Sequence, residues 1–194
     1  MEHLGGEKFV LATDTRNIAP DSVVYSFGVG TDVSWDINLI EKYGCTVHAF
    51  DPTPRSIAWV ESQKLPVQFN FHPYGLGRRD GVMKFYDPPN PKNVSYSSAR
   101  KNGVPSEFPV KRLATIMREL GHDHIDILKI DIEGSEFEVL PDIRHLPIQQ
   151  IIVEFHSRFF KFGKLREWVA RLQLKSAGFR LFYQNMNDWS FVRR

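Results

Sequence analysis

The sequence is short of most features that would make it something other than an ordinary soluble domain. A single cysteine, Cys45, excludes an internal disulfide and fits a reducing compartment. No apolar run reaches membrane-spanning length, and the first residues, MEHLGGEKFV, lack the basic, apolar and small-residue succession of a secretory leader. Neither charge is in excess: 25 Lys and Arg against 23 Asp and Glu leave +2, without the concentrated basic face of a nucleic-acid binder. The basic pair Arg78-Arg79 runs directly into Asp80 and reads as a solvated turn. Repeats and low-complexity tracts are missing too. These absences predict a soluble, unexported, cytoplasmic protein with neither nucleic acid nor membrane as partner, unless the chain is an excised domain. The surface aromatics are too scattered to define an oligomer interface.

What is present suits a single folded domain over residues 1–194. Forty-two per cent of the residues are hydrophobic and 25% charged, and a chain of 194 residues buries a substantial core. Short apolar runs alternate with helical patterns, the signature of βαβ units and a parallel sheet. Val23–Phe27 reads as a strand ending in the glycine turn Gly28-Val29-Gly30, and a helix near Ser34–Tyr43 is stopped by Gly44. Thr46–Phe50 is a second strand, closed by Asp51 and Pro52 and followed by a helix near Arg55–Gln63. A third, near Val67–Phe71, leads into Tyr74-Gly75-Leu76-Gly77.

Between Asp80 and Pro109 the alternation breaks. Val82–Tyr86 has strand character, but the proline-rich stretch after Asp87 and the segment Tyr96-Ser97-Ser98 are loop-like. A long irregular excursion in a compact domain is more often functional than filler. Regular pattern resumes with a helix near Ala114–Leu120, a strand Ile125–Ile132, a helix near Glu136–Leu140 stopped by Pro141, and a strand Gln150–Phe155. A helix over Lys164–Ser176 follows, with Leu165, Trp168, Val169 and Leu172 on one face. The tail is different. Phe179–Tyr183 and Trp189–Val192 are joined only by residues 184–188, too few for a parallel crossover, so these strands must be antiparallel.

In open α/β sheets ligands bind beyond the carboxyl ends of the strands, which gives each strand a chemical end. The first is Ser26 to Asp32, where glycines permit a tight turn and close approach, and the next helix N-terminus favours an anionic group. The second is Asp51, about 20 residues past the glycine turn, the place from which ribose hydroxyls are hydrogen-bonded. Strand, glycine turn, helix, strand and acid together point to a nucleoside-containing cofactor.

The segment ILKIDIEGSEFEVL (127–140) ends in a crowd of carboxylates around Gly134. Ser135 and Glu138 have capping-box spacing, and Glu136 and Glu138 suit the helix dipole, so these acids read as structural. Asp131 and Glu133 are not covered by that account. Alternation places them on one face, as it does Glu154 and His156 at the end of the next strand. If the two strands are neighbours, all four meet in one pocket. Three readings stand there: a structural ion pair, a general base at His156 or Asp131, or a set of oxygen and imidazole ligands for a divalent metal. His122 and His124 resemble a metal motif but precede the strand, roughly 20–25 Å from Asp131 at ~3.3 Å per residue. They read as a loop. His72 and Tyr74 lie nearer the pocket, where core packing explains them as well.

In the order VVYSFGVGTDVSWD, VHAFDPTP, PYGLG, LKIDIEGSE and IIVEFH, the chain resembles the FkbM-type methyltransferases and their methyltransferase-like relatives. The resemblance runs from about Val23 to His156, and FDPTP and LKIDIEGSE are its more specific parts. It implies a Rossmann-like, doubly wound, mostly parallel sheet of seven strands, the last antiparallel, and S-adenosyl-L-methionine as cofactor. Carried over by residue, Ser26, Gly28 and Gly30 would border the methionine portion, Asp51 the ribose, and Gly75 and Leu76 the adenine. Asp131 would lie beside the sulfonium and the acceptor, with Glu154 and His156 as further catalytic candidates. Ser26 stands where many such enzymes carry an acid, and Asp32 replaces a third glycine, so amino-group recognition passes to Asp32, Asp36 or Asp131. The resemblance favours O-methylation of a small hydroxylated, sugar-like acceptor, with a divalent metal possible but not favoured. A nicotinamide-dependent oxidoreductase shares the glycine turn and distal acid, though not LKIDIEGSE or the terminal hairpin, and a non-catalytic cofactor-binding relative is the other alternative. The excursion at 80–109 and the N-terminal GGEKF region are expected to shape the acceptor pocket.

Overall fold

Short β-branched and aromatic runs build the central sheet, the first four in chain order closed by Gly28, Asp51, Pro73 and Asp131. A computed structural model of the chain describes residues 10–11, 18–87, 96–99 and 104–194. Strand β1 (Val23–Phe27) is followed by helix α1 (Ser34–Tyr43), β2 (Thr46–Phe50), α2 (Pro54–Ser62) and β3 (Phe69–His72). Next come β4 (Gly75–Leu76), β5 (Gly81–Tyr86), β6 (Pro105–Lys111) and α3 (Leu113–Leu120). The remainder is β7 (Ile125–Ile130), α4 (Glu136–Ile143), β8 (Ile148–Glu154), α5 (Gly163–Ser176), β9 (Phe179–Asn185) and β10 (Asp188–Arg193).

Seven strands form one sheet in the order β3-β2-β1-β7-β8-β10-β9. The pairs β1–β2, β2–β3, β1–β7 and β7–β8 are parallel; β10 alone is reversed, antiparallel to both β8 and β9. The sequence-based picture of a mostly parallel sheet ending in an antiparallel hairpin therefore holds. Strand order turns back between β1 and β7, the switch point at which such sheets bind ligands.

Because strand side chains alternate, the sheet has two cores. Tyr25, Phe27, Leu128, Ile130, Ile151 and Val153 join one cluster with Ile116, Leu140 and Leu174, while Val24, Ile127 and Ile152 join the other with Trp35, Leu39 and Val60. β10 is fastened at its end by Arg193, whose guanidinium donates to the carbonyls of Ile148, Leu146 and Ala177. Among the described residues no helix is long and apolar enough to cross a membrane.

Several details depart from expectation. Part of the irregular excursion is a second sheet in the order β4-β6-β5. β6 escapes a pattern reading because it contains Pro105 and Pro109, and proline is rare in paired strands. Here it is tolerated because β4 pairs only with Val110 and Lys111, beyond Pro109. Residues 88–95 and 100–103 and the GGEKF segment lie outside the described residues. Pro141 does not stop α4, which runs on to Ile143: proline forfeits one ladder bond, yet the Arg144 N–H still reaches the Leu140 carbonyl at 3.1 Å. In α5 the regular stripe faces outward, with Leu165 and Trp168 each 57% exposed. The helix is seated instead by Ala170, Leu174 and the aliphatic part of Glu167, whose carboxylate pairs with Lys164.

Candidate active site

Gly28 and Gly30 close β1 with positive φ values of 79° and 56°. At Gly28 the need for glycine is absolute: a Cβ would stand 1.6 Å from the Asp131 carbonyl oxygen. The backbone is pinned there by the Gly28 N–H on the Phe50 carbonyl and the Asp131 N–H on the Phe27 carbonyl. Gly28→Ala adds both this overlap and left-handed strain, so we expect a stability loss on the order of 3 kcal/mol and a Tm lower by about 6–12 °C. An unchanged Tm in a thermal melt would contradict the described turn.

Asp51 ends β2 and crosses to that turn. Its Oδ2 accepts the Gly30 N–H at 3.0 Å, and its Oδ1 accepts the Thr53 N–H at 2.9 Å and the Thr53 hydroxyl at 2.6 Å. The buried carboxylate thus ties together the ends of two adjacent strands. A cleft opens beside it. Gly28, Gly30, Asp51, Gly75, Leu76 and Asp131 all line it. Ser26 and Asp32 do not. Ser26 is fully buried, near Lys129, and Asp32 accepts the Ser34 N–H at 2.9 Å. Asp36 is likewise buried away from the cleft; burial raises its carboxyl above the ordinary range, against the pull of Lys129. The excursion at 80–109, expected to shape a pocket, supplies Met83, Phe85 and Tyr96 as one wall of the cleft, although the sequence names none of the three as a site residue. No residue pattern announces such a wall before the pairing of β5 with β6 is known.

Neighbouring strands β7 and β8 bring Asp131, Glu133, Glu154 and His156 together, as their alternation suggested. His156 Nε2 lies 3.8 Å from Asp131, 3.4 Å from Glu133 and 3.8 Å from Glu154. Its Nδ1 stands 2.7 Å from Glu136 Oε1, which also accepts the Gly134 N–H at 3.0 Å. Glu136, fully buried, therefore holds the imidazole rather than merely complementing a helix dipole. The capping box is not formed. Ser135 has helical backbone angles, and its hydroxyl meets that of Ser98 at 2.5 Å. Ser97 adds a second clamp, donating to the Glu133 carbonyl at 2.6 Å, and Glu133 itself holds a left-handed φ of 49°.

Burial alone would lower the His156 pKa, but the hydrogen bond to Glu136 and the charges of Glu136, Glu133 and Asp131 outweigh it and raise it to about 9. Burial, then the Glu154 charge, push Asp131 up to about 7 despite Lys129 and His156. At the opposite end of β7, His122 Nδ1 lies 2.8 Å from the Tyr25 hydroxyl, and His124 lies between Asp123 and Asp126. His72 stacks on His48 and Phe50.

A doubly wound sheet with one reversed strand and a cleft at its switch point defines a Rossmann-like fold of the methyltransferase type. The crystal structure of methyltransferase FkbM from Methylobacillus flagellatus KT shares it, with a TM-score of 0.56 and 14% identity over 93% of this chain and 45% of that one. The family model for the methyltransferase FkbM domain matches residues 19–181, and the chain belongs to the FkbM methyltransferase family. It is 30% identical to the human probable methyltransferase-like protein 24 over 91% of this chain and 46% of that protein, so it spans about half the length of that relative. It is 24% identical to the 31-O-demethyl-FK506 methyltransferase FkbM of Streptomyces tacrolimicus, over 80% of this chain and 72% of that protein.

Proposed function

We propose that the protein transfers a methyl group from S-adenosyl-L-methionine to a hydroxyl of a small hydroxylated, sugar-like acceptor. The observation that carries this reading is the convergence of Gly28, Asp51, Gly75, Leu76 and Asp131 on one cleft. The residues present fit the cofactor. Asp51 offers a carboxylate for ribose hydroxyls, Met83, Phe85 and Tyr96 an apolar wall for a purine, and Asp131 a negative edge toward a sulfonium. When bound, S-adenosyl-L-methionine supplies an electrophilic methyl together with its own thioether leaving group. What remains for the chain is to hold the acceptor oxygen in line, exclude water and receive a proton. Asp131 lines the cleft for that last task, with Glu154 and His156 next to it. A hydroxyl acceptor also agrees with the name of the Streptomyces relative, a 31-O-demethyl-FK506 methyltransferase.

Calorimetric titration with S-adenosylhomocysteine tests the reading directly. We expect one equivalent to bind, and no binding by NAD or NADP in the same panel. Failure of the wild-type protein to bind S-adenosylhomocysteine would end the cofactor assignment.

A further inference from the structure

We propose that the cluster at the exits of β7 and β8 is a binding site for one divalent cation, with Asp131, Glu154 and His156 as its protein ligands. One ligand atom from each of these residues lies within 4.8 Å of the others. Donors sharing an ion at about 2.1 Å stand ~3.0 Å apart when adjacent and ~4.2 Å apart when opposite. The 3.8 Å from His156 Nε2 to both Asp131 Oδ1 and Glu154 Oε1 falls between those limits. It is too long for a hydrogen bond and suited to a shared ion.

The histidine is prepared for this role. Metal-bound imidazoles characteristically give their second nitrogen to a carboxylate, which fixes ring orientation and tautomer. Glu136 occupies that position on Nδ1 at 2.7 Å, and the Phe159 ring stacks on the imidazole at 5.3 Å. With His156 only 1% exposed, Nε2 is held facing the carboxylates from a buried position. Independently, Asp131 Oδ1, the atom directed at Nε2, is buried and has no hydrogen-bond partner. This oxygen and the His156 ring nitrogen stand 3.8 Å apart, a separation at which both can reach one ion at about 2.1 Å.

Charge favours the same occupant. Glu133 lies 3.4 Å and Glu136 2.7 Å from the same ring, so four carboxylates surround one imidazole, and like charges at such spacing are unfavourable. Two carboxylate oxygens and one imidazole nitrogen form a mixed hard and borderline donor set, suited to Mn²⁺, Fe²⁺ or Zn²⁺. The ion's role in catalysis rests on the methyltransferase reading: an acceptor hydroxyl on an open coordination position would be oriented and made more acidic. Its binding does not.

The test uses the full chain after chelator treatment, with Mn²⁺ as probe. Titration followed by loss of the free aquo-ion electron paramagnetic resonance signal should show one equivalent bound. Mn²⁺ at about 100 times its Kd should raise the Tm by about 5–10 °C. Glu154→Gln and Asp131→Asn, close in shape to the native residues, should each weaken binding at least about tenfold. No binding by the wild type at millimolar Mn²⁺, or undiminished binding by both variants, would overturn the site. S-adenosylhomocysteine titration of the same protein separates the two ideas. Cofactor binding without Mn²⁺ binding removes only the cation site, whereas Mn²⁺ binding without cofactor binding leaves the site standing and removes the methyltransferase reading.

Discussion

Replacing Asp51 by alanine should weaken S-adenosylhomocysteine binding by about 10- to 100-fold, the loss expected when a buried hydroxyl pair gives up charge-assisted partners worth ~1.5–3 kcal/mol. The same carboxylate accepts from Gly30 N–H and from both polar groups of Thr53, so part of any effect will come through the loops. Thr53→Val separates the contributions. It removes the hydroxyl contact at 2.6 Å while keeping shape and the Asp51 charge. Affinity in Thr53→Val should fall less than in Asp51→Ala, because the carboxylate keeps its charge and the N–H donors of Gly30 and Thr53 and loses one of its three donors. If calorimetry finds Asp51→Ala binding as tightly as wild type, Asp51 is a loop tie and nothing more.

The second large effect is expected at His156. His156→Ala should lower turnover by about 10²- to 10⁴-fold, the usual contribution of a group that handles a proton or orients the reacting oxygen. Cofactor affinity should stay nearly unchanged, since His156 is absent from the lining of the main cleft. Turnover is read as S-adenosylhomocysteine release with a responsive member of a hydroxylated-acceptor panel. Truncation leaves Glu136 buried without its imidazole, so His156→Gln, which retains a polar tip, serves as the folding control. A variant that melts normally, binds the cofactor analogue and turns over at the wild-type rate would remove His156 from the mechanism.

Residue chemistry made the site's framework readable before its walls. The strand ends at Gly28, Asp51 and Asp131 were legible because a glycine turn and acids closing apolar runs have few explanations in a parallel sheet. The convergence of Glu154 and His156 on Asp131 followed from two-residue alternation once β7 and β8 were taken as neighbours. Other parts were hidden for physical reasons. The prolines of β6 masked a strand that pairs through them with β5 and is paired on its other side only past Pro109. Ser135 carried the spacing of a cap but spends its hydroxyl on Ser98, a partner 37 positions away. Glu136 looked like a dipole companion, although its carboxylate is committed to a histidine just past the end of β8. The periodicity of α5 located a face correctly, but periodicity cannot say whether a face points at the sheet or away from it.

The placement of β10 sets an order of assembly. It lies between β8 and β9 although it follows both in the chain, so β9 is joined to the sheet only through β10. Asp188, its first residue, pairs in register with Glu154. A folding intermediate containing the first five strands of the large sheet would therefore possess the glycine turn and Asp51, yet leave the end of β8 unsupported on its outer side. The surroundings of Glu154 should be completed late, after Gly28 and Asp51 are already in place.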